Sequence, residues 1–325
     1  MKQLIVKDMY ELAIIGGGPA AVAAGVYAGR KQIKTVLITE GFGGQSLVSN
    51  DIQNWIGDLN ISGIELAKKM EAHVRSQQTV DIKDFELVKT IQKINDGPPV
   101  GHFLITTEAG ETFESKTVLF TTGSRRRRLG VPGEDEFDGR GVVFCSTCDA
   151  PLFRDKIVAI VGGGNAGLEA VVDSIPYASQ IYLIIRGNEL KGDAITQEKV
   201  KTHPKVKILF NTEITKINGE KFLTSIDLVN SQTKETSNLD VGGVFVEIGA
   251  VPNSEPVKDL VELNKGREIV VDHKTQLSSQ VGLWAAGDVS DVLFKQNNIS
   301  AGDAVKAILS IYDYLHRNQL TGAHQ

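Results

Sequence analysis

Two cysteines, Cys145 and Cys148, stand three positions apart in Cys145-Ser146-Thr147-Cys148-Asp149, and the chain has no others. Thiols at that spacing can close a small, reducible disulfide ring. The same spacing is half of a tetrahedral zinc site, but no second CxxC and no nearby histidine pair supplies the other ligands. A pair of inert thiols is the third reading. Asp149 follows directly; thiolate–disulfide exchange moves protons as well as electrons, and a shielded carboxyl can be tuned to carry them. The six histidines form no HxH or HxxxH pairing, so no metal site is expected.

The thiol pair lies between two copies of one pattern, each able to hold a nucleotide. Residues 11–15 read as a short buried strand that runs into Gly16-Gly17-Gly18-Pro19-Ala20-Ala21 and then into a helix of small residues. A second apolar run, Thr35 to Thr39, ends at Glu40. Gly16 permits the tight turn, Gly18 lets backbone approach a pyrophosphate at the helix N-terminus, and Ala21 is the third small position. Glu40 is placed to accept hydrogen bonds from a ribose 2′-OH. About 145 residues later the strand Lys156 to Val161 meets Gly162-Gly163-Gly164-Asn165-Ala166-Gly167, a small-residue helix and the strand Ile181 to Ile185. Here Ile185 stands where an acid or a basic residue would meet the nucleotide ribose, followed by Arg186 and, further on, Lys191. A copy that keeps the fold and binds nothing is the competing reading of this second unit.

A third piece closes the first domain. Val281 to Ala286 reads as a strand with Gly287-Asp288 at its carboxyl end, where ligands of doubly wound sheets bind. Asp288 is thus placed to hydrogen-bond a sugar or ribityl hydroxyl. Residues 300–316 read as a helix with Val305, Ile308, Leu309, Tyr312 and Leu315 along one face. The fold class expected is α/β, two Rossmann-like dinucleotide-binding domains with the second inserted into the first. The segments are 1–122 and 250–325 for the outer domain and 123–249 for the insert, with hinges near Thr121–Arg125 and Ile248–Pro252.

A chain of 325 residues with 35 basic and 40 acidic side chains carries a net charge of −5, which offers no general field for nucleic acid or anionic membranes. No apolar stretch reaches the length of a spanning helix, and Lys7, Asp8 and Glu11 interrupt the place of a signal-peptide core. Two cysteines exclude a disulfide-stapled secreted scaffold, and a cytoplasmic location is expected.

Taken together, GGGPAA at 16–21, FGGQ at 42–45, NWIGD at 54–58, TTG at 121–123, CSTCD at 145–149, GGGNAG at 162–167 and AAGDV at 285–289 resemble the low-molecular-weight thioredoxin reductases of bacteria and archaea, over about residues 10–317. The resemblance implies an FAD domain with an inserted pyridine-nucleotide domain. FAD would lie along Gly16, Gly18, Pro19, Ala20, Glu40, Gly44, Gln45, Asn54, Thr122, Gly123, Gly287 and Asp288. Lys295, Gln296 and Asn297 match the segment along the flavin, with Lys295 where many members carry arginine. NADPH or NADH would meet Gly162, Gly164, Asn165, Ala166, Arg186 and Lys191. The resemblance makes Cys148 the thiol that exchanges electrons with the flavin, Cys145 the one that attacks the partner's disulfide, and Asp149 the proton source. It also implies a homodimer, a rotation of one domain against the other, and a thioredoxin-like or glutaredoxin-like partner.

Members that use NADPH carry a His-Arg-Arg cluster and a further Arg after the second strand of the insert. The matching positions here are Ile185, Arg186, Gly187 and Lys191, so two of four basic places are filled. The insert also resembles that of the alkyl hydroperoxide reductase flavoprotein, which prefers NADH. Because the chain begins directly with its FAD fingerprint, a separate redox partner is expected rather than fused thioredoxin-like domains. Three alternatives stand beside the leading reading: the same fold driven by ferredoxin or a deazaflavin, a dithiol oxidase, and a flavin-binding redox sensor. Arg125 to Arg128 reads as a solvated hinge strand or a docking patch for an acidic carrier, and Leu152 with Phe153 as core or as an apolar docking contact. Gly97-Pro98-Pro99 and Ser231-Gln232-Thr233 read as hairpin loops.

Overall fold

The structure is a computed structural model that describes residues 9–49, 52–95 and 102–321. The first segment runs β1 (Tyr10–Ile15), α1 (Pro19–Arg30), β2 (Thr35–Thr39), α2 (Gly63–Arg75), β3 (Val80–Asp84), β4 (Val88–Asn95), β5 (His102–Thr107) and β6 (Thr112–Phe120). After the short strand β7 (Ser124–Arg126) come β8 (Val142–Val143), α3 (Ser146–Asp149), β9 (Ile157–Val161), α4 (Asn165–Ser174), β10 (Gln180–Ile184), α5 (Ala194–Thr202) and β11 (Val206–Leu209). Then follow β12 (Thr212–Gly219), β13 (Leu223–Asn230), β14 (Thr236–Asp240), β15 (Gly243–Val246), the short β16 (Ala250–Pro252), β17 (Leu283–Ala285) and α6 (Asn297–Thr321).

The chain divides into two compact units, one of Met1–Arg125 with Val251–Gln325 and the other of Arg126–Ala250. The crossings fall within the short strands β7 and β16. Ser231-Gln232-Thr233 forms the turn between antiparallel β13 and β14, whereas Gly97-Pro98-Pro99 lies outside the described residues.

In the first unit the sheet order is β3-β2-β1-β6-β5-β4, with β17 also on β6. Strands β3, β2, β1, β6 and β17 are parallel. The β6 strand divides its second edge, pairing antiparallel β5 through Thr112 to Ser115 and parallel β17 through Val118 to Phe120. A strand segment buried on both faces must be apolar, and β1 is from Leu12 to Ile15. Leu12 and Ile14 join one core with α1, α2 and α6, whereas Ala13 and Ile15 join another with β4, β5 and residues 257–271. Ser62 closes a capping box with Glu65 at the start of α2, which fixes where that helix begins.

The second unit repeats the logic on a parallel sheet of order β11-β10-β9-β15-β8. Val158 and Ile160 of β9 face α4 and its core, while Ala159 faces the antiparallel three-stranded sheet β12-β13-β14. Phe153 is buried edge-on against Phe245, 5.0 Å between ring centres, in space left by the missing side chain of Gly243. It is therefore core, whereas Leu152 is exposed. Among the described residues no helix is long and apolar enough to cross a membrane.

Candidate functional site

In the first unit the carboxyl ends of β1, β2, β6 and β17 surround a cavity of about 740 Å³, within the usual range of cofactor sites. Gly16 turns the chain from β1 toward α1 with φ +128°, and a side chain there would meet the Thr121 carbonyl oxygen at 2.6 Å. Pro19 opens α1, where its missing N–H costs nothing. On the far side of β2 the Thr39 hydroxyl donates to the Gly41 carbonyl oxygen at 2.8 Å and accepts the Gly41 N–H at 3.1 Å. That local turn leaves Glu40 exposed on the cavity wall.

Of the residues expected to hold a flavin dinucleotide, Gly16, Gly18, Pro19, Ala20, Glu40, Gly44, Gln45, Thr122, Gly123, Gly287, Asp288 and Asn297 all line this cavity. Gln45 is fixed by donating to the Ser124 carbonyl oxygen, and Asn297 by donating to the Ser46 hydroxyl at 3.0 Å. Asp288 accepts from Ser300 at 3.3 Å in the first turn of α6. Asn54, Lys295 and Gln296 lie off the cavity wall: the Asn54 amide donates to Gln296 at 3.3 Å, and the Lys295 ammonium sits 2.9 Å from the Glu268 carboxylate. A carboxylate partner and two carbonyl oxygens, of Asp288 and Ser290, account for where that lysine points. Asn253 is a lining residue that no sequence motif marks. Its side chain donates to the Thr122 carbonyl oxygen at 2.9 Å and accepts from Arg125 at 2.9 Å, so it braces the TTG turn.

These residues fit a flavin dinucleotide. A side chain on Gly44 would come within 3.3 Å of the Gly18 Cα, and one on Gly287 within 3.3 Å of the Ala20 methyl. The floor is thus bare backbone beside a helix N-terminus, the surface a pyrophosphate needs.

In the second unit Gly162 repeats the turn with φ +142°, its side-chain position blocked at 2.3 Å by the Glu247 carbonyl oxygen. Gly164, Asn165 and Ala166 follow at the start of α4. Ile185 is buried and leans on Gly163, while Arg186 and Lys191 are exposed. The Lys191 N–H donates to the Gly163 carbonyl oxygen at 2.7 Å, and the Asp193 N–H to the Asn165 side chain at 2.7 Å, so the loop after β10 is tied to the glycine turn.

The cysteines lie in this unit. Just beyond β8, Cys145 caps the one-turn helix α3 and is disulfide-bonded to Cys148 within it. The Asp149 N–H donates to the Cys145 carbonyl oxygen at 3.0 Å. Both cysteines and Asp149 are half-buried and Thr147 is exposed. Ser146 is buried; its hydroxyl donates to Asp173 of α4 at 2.9 Å and its N–H to the Glu247 carboxylate at 3.2 Å. Desolvation pushes the Glu247 carboxyl up to about 7, with Asp173 and Asp149 adding to the rise and Arg126 and the Ser146 N–H opposing it. The arginine run is dispersed. Arg125 goes to Asn253, Arg126 faces Glu247, and Arg128 pairs with Asp138 and lies 4.6 Å over the Phe144 ring.

The chain is similar to known proteins. The chain is 38% identical over 312 residues to an NADH dehydrogenase of Bacillus subtilis, covering 96% of this chain and 60% of that protein. It is 39% identical over 313 residues to an alkyl hydroperoxide reductase subunit of Pseudomonas putida, covering 96% and 59%. The chain thus spans about 60% of the length of these two relatives. A solved thioredoxin reductase from Streptococcus pyogenes superposes with TM-score 0.88 at 32% identity, covering 95% of this chain and 99% of that one. One from Giardia duodenalis gives 0.88 at 28%, covering 95% and 100%. The family pattern of the pyridine nucleotide-disulphide oxidoreductases matches residues 10–306. With a glycine turn in each unit and a disulfide on the insert, the chain belongs to that family, whose chemistry implies a flavin and a nicotinamide cofactor.

Proposed function

We propose that the protein is a flavin-dependent disulfide reductase. It takes electrons from NADPH or NADH, holds FAD in the cavity of the first unit, and reduces a thioredoxin-like protein through Cys145 and Cys148. The observation that carries this reading is the disulfide itself: the chain's two cysteines are joined on a half-exposed turn, with Asp149 next in sequence. The names of the solved relatives support a thioredoxin-like partner.

FAD, when bound, supplies the exchange between the two-electron chemistry of a nicotinamide and that of a sulfur pair. Gly16 to Ala20, Gly44, Gly123 and Gly287 would leave room for it, and Glu40 and Asp288 would accept from its hydroxyls. On the insert, the chain's own residues carry the sulfur chemistry. In the reduced pair one thiolate, assigned to Cys145, attacks a partner sulfur; a mixed disulfide forms and the partner's other sulfur leaves. Cys148 then attacks the mixed disulfide, re-forming Cys145–Cys148 and releasing the second partner sulfur. Two electrons pass to the partner, and the protons lost by the pair end on its two thiols. Asp149 would carry one of them, while Asp173 holds Ser146 and so the turn.

The test is anaerobic. The purified protein should be yellow, and NADPH or NADH should bleach it. Cys145→Ser and Cys148→Ser should each lose about a thousandfold or more of thioredoxin reduction while keeping flavin and its reduction by the donor. Retained turnover in either variant, or a colourless protein, overturns the reading. Ile185, apolar where a ribose partner is expected, favours a second reading in which ferredoxin or a deazaflavin supplies the electrons. Bleaching by one of those, with no response to either nicotinamide, would select it.

A further inference from the structure

The mechanism leaves one ionisable group near the disulfide unused. Glu247 directly follows β15, its N–H donating to the Val161 carbonyl oxygen at 2.9 Å and its carbonyl filling the space beside Gly162. Its backbone is therefore locked to the sheet, with its side chain turned toward the cysteine turn. There it accepts the N–H of Ser146, the residue that separates Cys145 from Thr147 and Cys148, at 3.2 Å. The charged groups around it come from three elements: Arg126 of β7 attracts its charge, while Asp149 of α3 and Asp173 of α4 repel it. Asp173 grips the same turn through Ser146 at 2.9 Å and Thr147 at 3.3 Å. One cation against three carboxylates, beside a bond about to receive two electrons, is a site that gains from taking up a proton.

We propose that Glu247 is a positioning residue that holds the turn between the cysteines and takes up one of the protons accompanying reduction of the Cys145–Cys148 disulfide. The proposal rests on the redox role given to that pair. In the balanced step two electrons break the S–S bond and two protons enter. One protonates a sulfur, the other protonates the Glu247 carboxylate, and the second sulfur stays as thiolate. The electrons come from the nicotinamide in the proposed reaction, or from dithiothreitol, which closes to its cyclic disulfide, in the test. The consequence is a pair that keeps a reactive thiolate near neutral pH. Burial already brings the oxidised protein's carboxyl up to about 7, and a thiolate nearby raises its proton affinity further.

The experiment equilibrates the full-length, flavin-loaded protein anaerobically with dithiothreitol redox buffers from pH 6 to 9, and counts reduced cysteines by alkylation and mass spectrometry. Glu247→Gln keeps an oxygen for the Ser146 N–H and cannot titrate. The equilibrium constant for reduction, wild type over Glu247→Gln, should fall as pH rises, by about tenfold for each pH unit by which reduction raises the carboxyl's proton affinity. A redox-difference infrared spectrum of the wild type should gain a protonated-carboxyl band on reduction that Glu247→Gln lacks. Asp173→Asn, which removes a repelling charge, should move the pH window down. A ratio that stays flat, with no such band, overturns the proposal. So does a loss seen in Glu247→Ala at every pH and fully restored by Glu247→Gln, since that is the behaviour of a hydrogen-bond acceptor alone. A flat ratio in a protein that still reduces thioredoxin leaves the disulfide-reductase reading intact. A pair that dithiothreitol cannot open at any pH brings down both.

Discussion

The two glycine turns share a backbone and differ in what closes over them. Gly16 and Gly162 each hold positive φ, with a carbonyl oxygen, of Thr121 or Glu247, packed where a side chain would be. One residue on, the environments part. A side chain on Gly17 would meet the Gly41 carbonyl oxygen at 2.0 Å, whereas one on Gly163 would meet the Ile185 side chain at 2.9 Å. The residue after the second strand is Glu40 in the first unit, exposed on the cavity wall, and Ile185 in the second, 4% exposed and part of the α4 core. Strand and helix packing set the turn; the end of the second strand sets which nucleotide it can recognise. A repeated turn is therefore evidence for a place to bind, not for a ligand.

The sharpest way to break this comparison is to add one methyl group to each turn. In Gly17→Ala the new carbon meets backbone oxygen and the Thr39 hydroxyl at 2.2 Å, so the loop carrying Glu40 must move. FAD affinity should fall by about a hundredfold or more, about 3 kcal/mol, read by flavin retention on dialysis. In Gly163→Ala the new carbon meets side-chain methyls of Ile185, at 2.9 and 3.2 Å, rather than backbone, and the KM for the nicotinamide donor should change by about threefold or less. Equal losses in both would show that the two turns are equivalent after all.

The supporting carbonyls suggest a second, smaller contrast. Thr121 braces the first turn with a neutral side chain whose hydroxyl donates to the Ile15 carbonyl oxygen at 2.8 Å. Glu247 braces the second with an acid raised from its ordinary 4.5 to about 7. Between those values the folded protein holds a proton that the unfolded chain releases, so stability falls as pH rises through that window. The full shift would be worth about 3 kcal/mol; because the carboxyl is partly exposed, about 1–2 kcal/mol is expected. Between pH 5 and pH 8 the wild type should lose that much more stability in urea than Glu247→Gln. Parallel curves would remove the ionisable brace from the account.

Local signals made much of this molecule legible. Each parallel unit announced itself through a short apolar strand, a glycine turn and small helical residues, because the spacing that lets a helix pack on a strand leaves few residue choices. The Cys145–Cys148 pair was legible for the same reason, being close together in one turn. What the sequence hid was long-range. Asn253 supports Thr122 across 131 positions, and Glu247 reaches Ser146 across 101. Neither belongs to a spaced motif, and an asparagine after a proline or an acid after an apolar run reads as ordinary surface. Lys295, expected along the flavin, pairs with Glu268, a partner 27 positions away whose approach no local pattern reveals.

The smallest effect tests the end of the second strand directly. Arg186 and Lys191 are exposed beside the second turn and could meet a 2′-phosphate, whereas Ile185 offers a ribose nothing to hydrogen-bond. Removing both charges in Arg186→Ala with Lys191→Ala should lower kcat/KM for NADPH by about tenfold and leave NADH within about twofold. Ile185→Glu places an acid where Glu40 stands in the first unit, so it should raise the ratio of kcat/KM for NADH over NADPH by about fivefold. The buried side chain makes some stability cost certain, so the ratio of the two donors, measured on one preparation, is the quantity to read. An acid at 185 that leaves this ratio unchanged would mean that the second turn does not hold the adenosine ribose in the manner of the first. The likeness of the two units would then end at the backbone.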